Sequence, residues 1–162
     1  MALISNIGAG IFTKLKYKAD ATYTLPTDDS THGTFIAGDF STATEITGIR
    51  EFPTFGKPAN IVNVPQYGQG ISSQISGQSD APTLEFSLNY IPGTHNTLQG
   101  LVGDGNSYVF MLDVKNTTTG DNAAFYVKGQ VASFEVTPSL TDSNQATLTL
   151  TTSSDYVGPF AD

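Results

Sequence analysis

Apolar and polar residues alternate along much of this chain with a period of two. In TLEFSLNY, which begins at Thr83, Leu84, Phe86, Leu88 and Tyr90 fall on one face. Thr83, Glu85, Ser87 and Asn89 fall on the other, the pattern of a half-buried strand, and Pro92-Gly93 ends it. Residues 11–19 also alternate and put Lys14, Lys16 and Lys18 together on one face. Further on, Tyr108, Phe110, Leu112 and Val114 oppose Asp113 and Lys115, and Ala146, Leu148 and Leu150 oppose Thr147, Thr149 and Thr151. Two regions break phase. In residues 41–52, Ile46 and Ile49 are out of strict register, and in 123–136 the apolar phase switches between Val131 and Phe134. A β-bulge accounts for either break.

One segment follows a different period. Leu98, Leu101 and Val102 stand at i, i+3 and i+4, Thr94 precedes them as a candidate N-cap, and Gly103-Asp104-Gly105-Asn106 follows as a stop. This predicts one short α-helix over about 94–103, docked on a sheet by Leu98 and Leu101. Residues 24–34, TLPTDDSTHGT, read as turns. The expected fold is therefore mainly β: an antiparallel sandwich or partly closed barrel with one short flanking helix.

Residues 53–82 fit neither period. Four prolines and four glycines fall there, yet so do Phe55, Ile61, Val62, Val64, Tyr67, Ile71 and Ile75. A flexible linker lacks such side chains, and a structureless loop of this length inside a domain is uncommon. The segment reads as a long excursion whose apolar residues are buried against another subunit; the competing reading is a hairpin internal to the domain. The 162 residues suit a single domain, with an apolar arm at 1–10 and a tail at 154–162.

Charge sharpens this picture. Fifteen acidic and seven basic residues give a net charge of −8, and only 14% of residues are charged, against about 25% in a typical domain. Ser, Thr, Asn, Gln and Gly must cover the surface instead, and these desolvate at lower cost than charges when surfaces pack together. The acidic field argues against nucleic-acid binding of the usual kind. No run is long and apolar enough to cross a membrane as a helix, and MALISNIGAGIF has no basic n-region, so the expectation is a protein made in the cytoplasm.

Candidate chemistry is sparse. There is no cysteine, and His32 and His95 each lie in a polar, turn-like context, read as surface positions. Asp28-Asp29 and Asp104-Gly105-Asn106 offer oxygen ligands without the spacing of a calcium loop, and turn chemistry explains both. Gly8-Ala9-Gly10 and Gly68-Gln69-Gly70 lack the strand–helix context of a phosphate cradle. The carboxylates form no paired motif, so neither an enzyme nor a metal or cofactor is expected.

The stretches YGQGISSQISGQSDAPTLEFSLNYIPGTHNTLQGL and FYVKGQVASFEVTPSLTDSNQATLTLTTSS, in this order, resemble the tail tube (major tail) proteins of lambda-like, long non-contractile-tailed bacteriophages. The resemblance implies a virion protein, assembled in the host cytoplasm. Its hexameric rings would stack into a hollow tail tube through which DNA passes without specific binding. It implies a tape measure protein in the lumen, and tail terminator and tail-tip proteins as further partners, with no membrane. Under it, strand parity makes Glu85, Asp113, Thr147 and Thr149 candidates for the lumen. Leu3, Ile4, Ile7, Phe55, Ile61, Val64, Tyr67, Ile71 and Ile75 become candidates for contacts between subunits or rings. Two other readings stand beside it: a secreted β-sandwich ligand-binding module, and the tube protein of a contractile or type VI-like injection system.

Overall fold

The computed structural model describes residues 10–56, 60–78, 81–115 and 122–161. The arm candidates Leu3, Ile4 and Ile7 lie outside them. In chain order the elements are β1 (Lys14–Ala19), α1 (Asp29–Ala37), β2 (Thr44–Ile46), β3 (Ile49–Glu51), β4 (Asn60–Val64) and β5 (Ser73–Gly77). They continue with β6 (Thr83–Asn89), α2 (Pro92–Leu101), β7 (Tyr108–Lys115), β8 (Asn122–Thr137), β9 (Gln145–Thr152) and β10 (Val157–Phe160).

One antiparallel sheet carries the fold, in the order β2-β1-β7-β8-β9-β6-β3, with β10 added alongside β8. Its outermost strands, β2 and β3, are neighbours in sequence, separated only by Thr47 and Gly48. Three peptide units span at most roughly 11 Å, so the sheet must curl until its two ends come together. The result is a half-barrel whose seam is a covalent corner. Gly48 makes that corner at φ +78°, and a Cβ there would lie 3.0 Å from the Asn89 carbonyl oxygen.

The long strand β8 serves two partners in succession. Its first half pairs with β7 as far as Gly129 opposite Tyr108, and from Gly129 onward it pairs with β9. A Cβ on Gly129 would strike the Thr151 carbonyl oxygen, which accounts for the glycine at this junction. Two residues later, Val131 faces Leu150 while Ser133 faces Thr149, so Ala132 is the extra residue of a bulge. The bulge returns Phe134 to the inner face and explains the phase switch seen in the sequence.

Inside the curl lies the main core, built on Leu15, Ile46, Leu84, Phe86, Leu88, Phe110, Leu112, Leu148 and Leu150. Helix α2 docks on it through the buried Leu98 and the partly buried Leu101, as expected. The helix starts earlier than the sequence indicated. Pro92 occupies its first turn and Ile91 is the N-cap residue, so Thr94 is interior. A second cluster on the outer face joins Val109, Met111, Ala124 and Tyr126 to Phe35, Phe40 and Phe160. That cluster exists because of two elements the sequence reading did not include. Residues 24–34 contain the start of a real helix, α1, and the 154–162 tail contains strand β10.

Helix α1 opens with a capping box. The Asp28 carboxylate accepts from the Thr31 N–H at 2.8 Å, and the Thr31 hydroxyl accepts from the Asp28 N–H at 3.1 Å. The Thr31 backbone bond, followed by its hydroxyl, holds the exposed Asp28 carboxyl below its ordinary range. The helix docks through His32 and Phe35, one turn apart, and His32 stacks on Phe160 at 5.5 Å between ring centroids.

Both histidines are buried, not exposed as the sequence reading had it, because each holds a backbone turn. His32 Nδ1 lies 3.0 Å from the Ala161 carbonyl oxygen, which can only accept, so this nitrogen carries the proton. The Ala161 N–H in turn donates to the Asp29 carboxylate at 3.1 Å. At the seam, His95 Nε2 donates to the Thr47 carbonyl at 2.8 Å, and its Nδ1 accepts from the Ile91 N–H at 3.2 Å. One imidazole thus ties the barrel corner to the start of α2. His95→Ala leaves a cavity and two unpaired backbone groups, and we expect it to lower the unfolding free energy by roughly 3 kcal/mol in urea titration. A loss below about 0.5 kcal/mol, the range of ordinary surface substitutions, would mean the corner holds without it.

Candidate functional site

Two surfaces stand apart from the packed body. The first is a polar field on the outer face of β6, β9 and the second half of β8. Thr83, Glu85, Ser87 and Asn89 on β6 pair with Thr151, Thr149, Thr147 and Gln145 on β9. Gln130, Ser133, Glu135 and Thr137 of β8 complete the rows. None of these residues is buried, none is apolar and none is basic. The inner faces of the same strands are core, so the field is what remains when strict alternation puts every apolar side chain inside. It offers hydroxyls, amides and two carboxylates, Glu85 and Glu135.

Of the four lumen candidates, Glu85, Thr147 and Thr149 lie together in this field. Asp113 does not. Strand β7 is buried on both faces, the outer one within the second core cluster, and Asp113 is only 2% exposed. Its carboxylate accepts from Asn122 Nδ2 at 2.8 Å and pairs with Lys115 at 3.1 Å. Removing either partner would leave a buried charge uncompensated, so its role is structural. The acidic residue that alternation alone did not single out is Glu135, because the bulge at Ala132 had first to be placed.

The lysines lie at the other end of the same outer face. Lys14 pairs with Glu45 at 3.1 Å, while Lys18 donates to the Asp39 carbonyl and sits 5.4 Å from the Tyr23 ring centre. Lys128 bridges Asp20 at 2.9 Å and the Tyr23 carbonyl at 2.6 Å, fastening residues 20–23 to β8. The outer face therefore has a basic flank, a middle covered by α1 and β10, and a neutral-to-acidic flank.

The second surface is the hairpin β4–β5, which pairs Asn60 with Gly77 through Val64 with Ser73 and forms a two-stranded sheet of its own. The 53–82 excursion is thus a hairpin, but one whose apolar side chains its own chain leaves in solvent. Ile61, Val62, Ile75 and Tyr67 are exposed, Ile71 to 85%, and Val64 is half-buried. Phe55 is the exception among the inter-subunit candidates. It packs against Phe125 at 5.0 Å and Tyr156 at 5.7 Å, so it anchors the approach to the hairpin within the chain.

Among the described residues no three His, Asp or Glu side chains gather as a metal site would require. The Asp104 carboxylate accepts from Asn106 N at 2.9 Å, Asn106 Nδ2 and the Tyr108 hydroxyl, which is turn chemistry. The Tyr108 bond, then the Asn106 backbone, lowers its pKa. No helix among the described residues is long and apolar enough to cross a membrane.

This geometry has a solved counterpart. The chain is similar in fold to one chain of the cryo-EM structure of the anti-feeding prophage (AFP) baseplate, 6-fold symmetrised. The likeness covers 98% of this chain and 97% of that one, at a TM-score of 0.56 and 10% sequence identity. No family model matches the sequence, and no curated protein does. At this identity the likeness is one of fold.

Beside Phe55, burial pushes the Tyr156 phenol up to about 12. A folded-state pKa above the unfolded value of about 10 contributes stability that is complete below that pH and lost as pH rises through the folded value. Alkaline titration should therefore show Tyr156 ionising late and together with unfolding, an order that Phe55→Ala, by opening its cover, should advance. Simultaneous ionisation of all tyrosines before any loss of circular dichroism would contradict this.

Proposed function

We propose that this chain is a structural subunit of a phage-tail-type particle, forming hexameric rings that stack into a hollow tube. The observation that carries the reading is the fold likeness, over nearly the whole of both chains, to a component of a six-fold-symmetrised prophage baseplate. The physical features agree with it. The polar field lies opposite the core and α2, so six copies arranged with that face inward would line a channel with hydroxyls, amides and carboxylates. Duplex DNA would gain no phosphate contacts from Glu85 and Glu135 and would slide without sticking. Exposed apolar hairpins are a liability for a lone subunit and a means of contact for an assembled one. In this reading the tube would hold a tape measure protein and meet terminator and tip proteins at its ends.

The baseplate setting of the neighbour favours a second reading, a ring subunit of a contractile injection system, which differs in what surrounds the ring. Both make the chain a non-enzymatic virion or virion-like component, and both are tested the same way. Negative-stain electron microscopy of the protein, concentrated stepwise, should reveal six-fold rings or hollow tubes with a central channel. A monodisperse monomer at every concentration would count against both.

The lining can be tested on the assembled material. Glu85→Lys combined with Glu135→Lys alters only exposed positions, so rings should form as before but retain duplex DNA in a gel-shift assay, with binding that weakens steeply as salt rises. If unaltered rings bind DNA equally well, the polar field does not line the channel.

A further inference from the structure

The hairpin needs a receptor. An isolated two-stranded sheet is at best marginally stable in water, and this one shows solvent Ile61, Val62, Ile75 and, at its turn, Tyr67 and Ile71. Residues 60–78 hold no charged side chain in a protein of net charge −8. A surface that accepts them must be largely neutral as well, because burying an unpaired carboxylate under the hairpin would cost more than the apolar contact returns.

The chain carries such a surface elsewhere. A groove of about 400 Å³ runs along α1 and the segment before it, lined by the buried Phe35 and Pro26, the half-buried Leu25, and the hydroxyls of Thr27, Ser30 and Thr34. Among the described residues, Asp39 is the only ionisable side chain along it. Its volume falls within the range of ordinary binding pockets. The groove is also rigid. Helix α1 is capped by Asp28, its Phe35 belongs to the outer core, and Asp29 and His32 grip the amide and carbonyl of Ala161. Little ordering is left to do on that side when a partner arrives.

We propose that the hairpin tip of one copy docks into the α1 groove of a second copy, with Tyr67 as the anchoring side chain and Ile71 beside it. An aromatic in a desolvated pocket with a hydroxyl rim is how such anchors act. Because hairpin and groove are different patches, the contact is heterologous: each copy offers a free groove and a free hairpin, and the contact repeats until symmetry closes it. The inference rests on the assembly reading above and adds to it the identity of the accepting surface.

The absence of cysteine from the sequence permits a direct test. Gln69→Cys, in the hairpin turn, in one preparation and Ala37→Cys, next to Gly38 of the groove, in a second, tagged to differ in mass, alter exposed positions outside the proposed contact and should fold as the parent does. Mixed and treated with a short bis-maleimide, they should give the hetero-bridged pair on the order of a hundredfold faster than Gln69→Cys mixed with Leu140→Cys, since docking replaces random collision by proximity, and adding Tyr67→Ala to the Gln69→Cys chain should remove that advantage. Leu140, fully exposed in the β8–β9 connection, serves as the control. Rings that form without a Gln69–Ala37 bridge, or with Gln69→Cys bridging chiefly to itself, would overturn the docking and leave the assembly reading standing. Neither rings nor bridge at the highest soluble concentration would overturn both.

Discussion

Closure of the sheet at Thr47–Gly48 is the constraint on which the other features depend. A curved antiparallel sheet has two edges, and exposed edges invite pairing with other chains. Here the edge strands β2 and β3 are two halves of one bent segment, so the curl is enforced covalently, and the His95 imidazole and the bond from the Asn89 N–H to the Gly48 carbonyl hold it. Once the ends are joined, the inner face must be apolar and the outer face must find its own cover. Helix α1 and β10 supply that cover over β7 and the first half of β8, and the remaining outer face is left polar.

The same constraint explains where assembly features can lie. With both ends of the sheet committed to the seam, elements free to reach other copies must project from the body. Hairpin β4–β5 is that projection, and Phe55, packed against Phe125 and Tyr156, fixes where it leaves. The polar field is the complementary case: it stays flush with the body and can serve as a lining without a specific partner. In the proposed ring the two surfaces have opposite duties, one to bind and the other to refrain from binding.

Much of the fold was legible in the sequence, and the failures have physical causes. Strands were legible where one face is core and the other solvent, as in β6 and β9, because alternation then survives intact. Helix α1 was not, because its docking face is a histidine and a phenylalanine among Asp, Ser, Thr and Gly, so hydropathy carries no helical period; the Asp28/Thr31 box was the one available sign. Strand β10 contains Gly158-Pro159 and read as a tail. Missing these two elements led to the misplacement of Asp113, since its strand parity was right and only its cover was unknown. Glu85, Thr147 and Thr149 were legible as uncovered outer-face positions for the opposite reason: among the described residues no element lies over them.

The bulge at Ala132 has a bearing on how such a chain can change over generations. Beyond it, every residue of β8 keeps its side only by counting. Loss of Ala132 alone would remove the bulge and leave Ser133 and Glu135 outward and Phe134 inward, whereas loss of Ala132 together with Ser133 would turn Phe134 outward and Glu135 inward. This stretch can therefore lose its one extra residue without a change of faces but not a second, while the β8–β9 connection and the hairpin turn tolerate either. Side-chain identity is far less restricted than parity. A lineage constrained in this way can replace nearly every residue and still draw the same curled sheet.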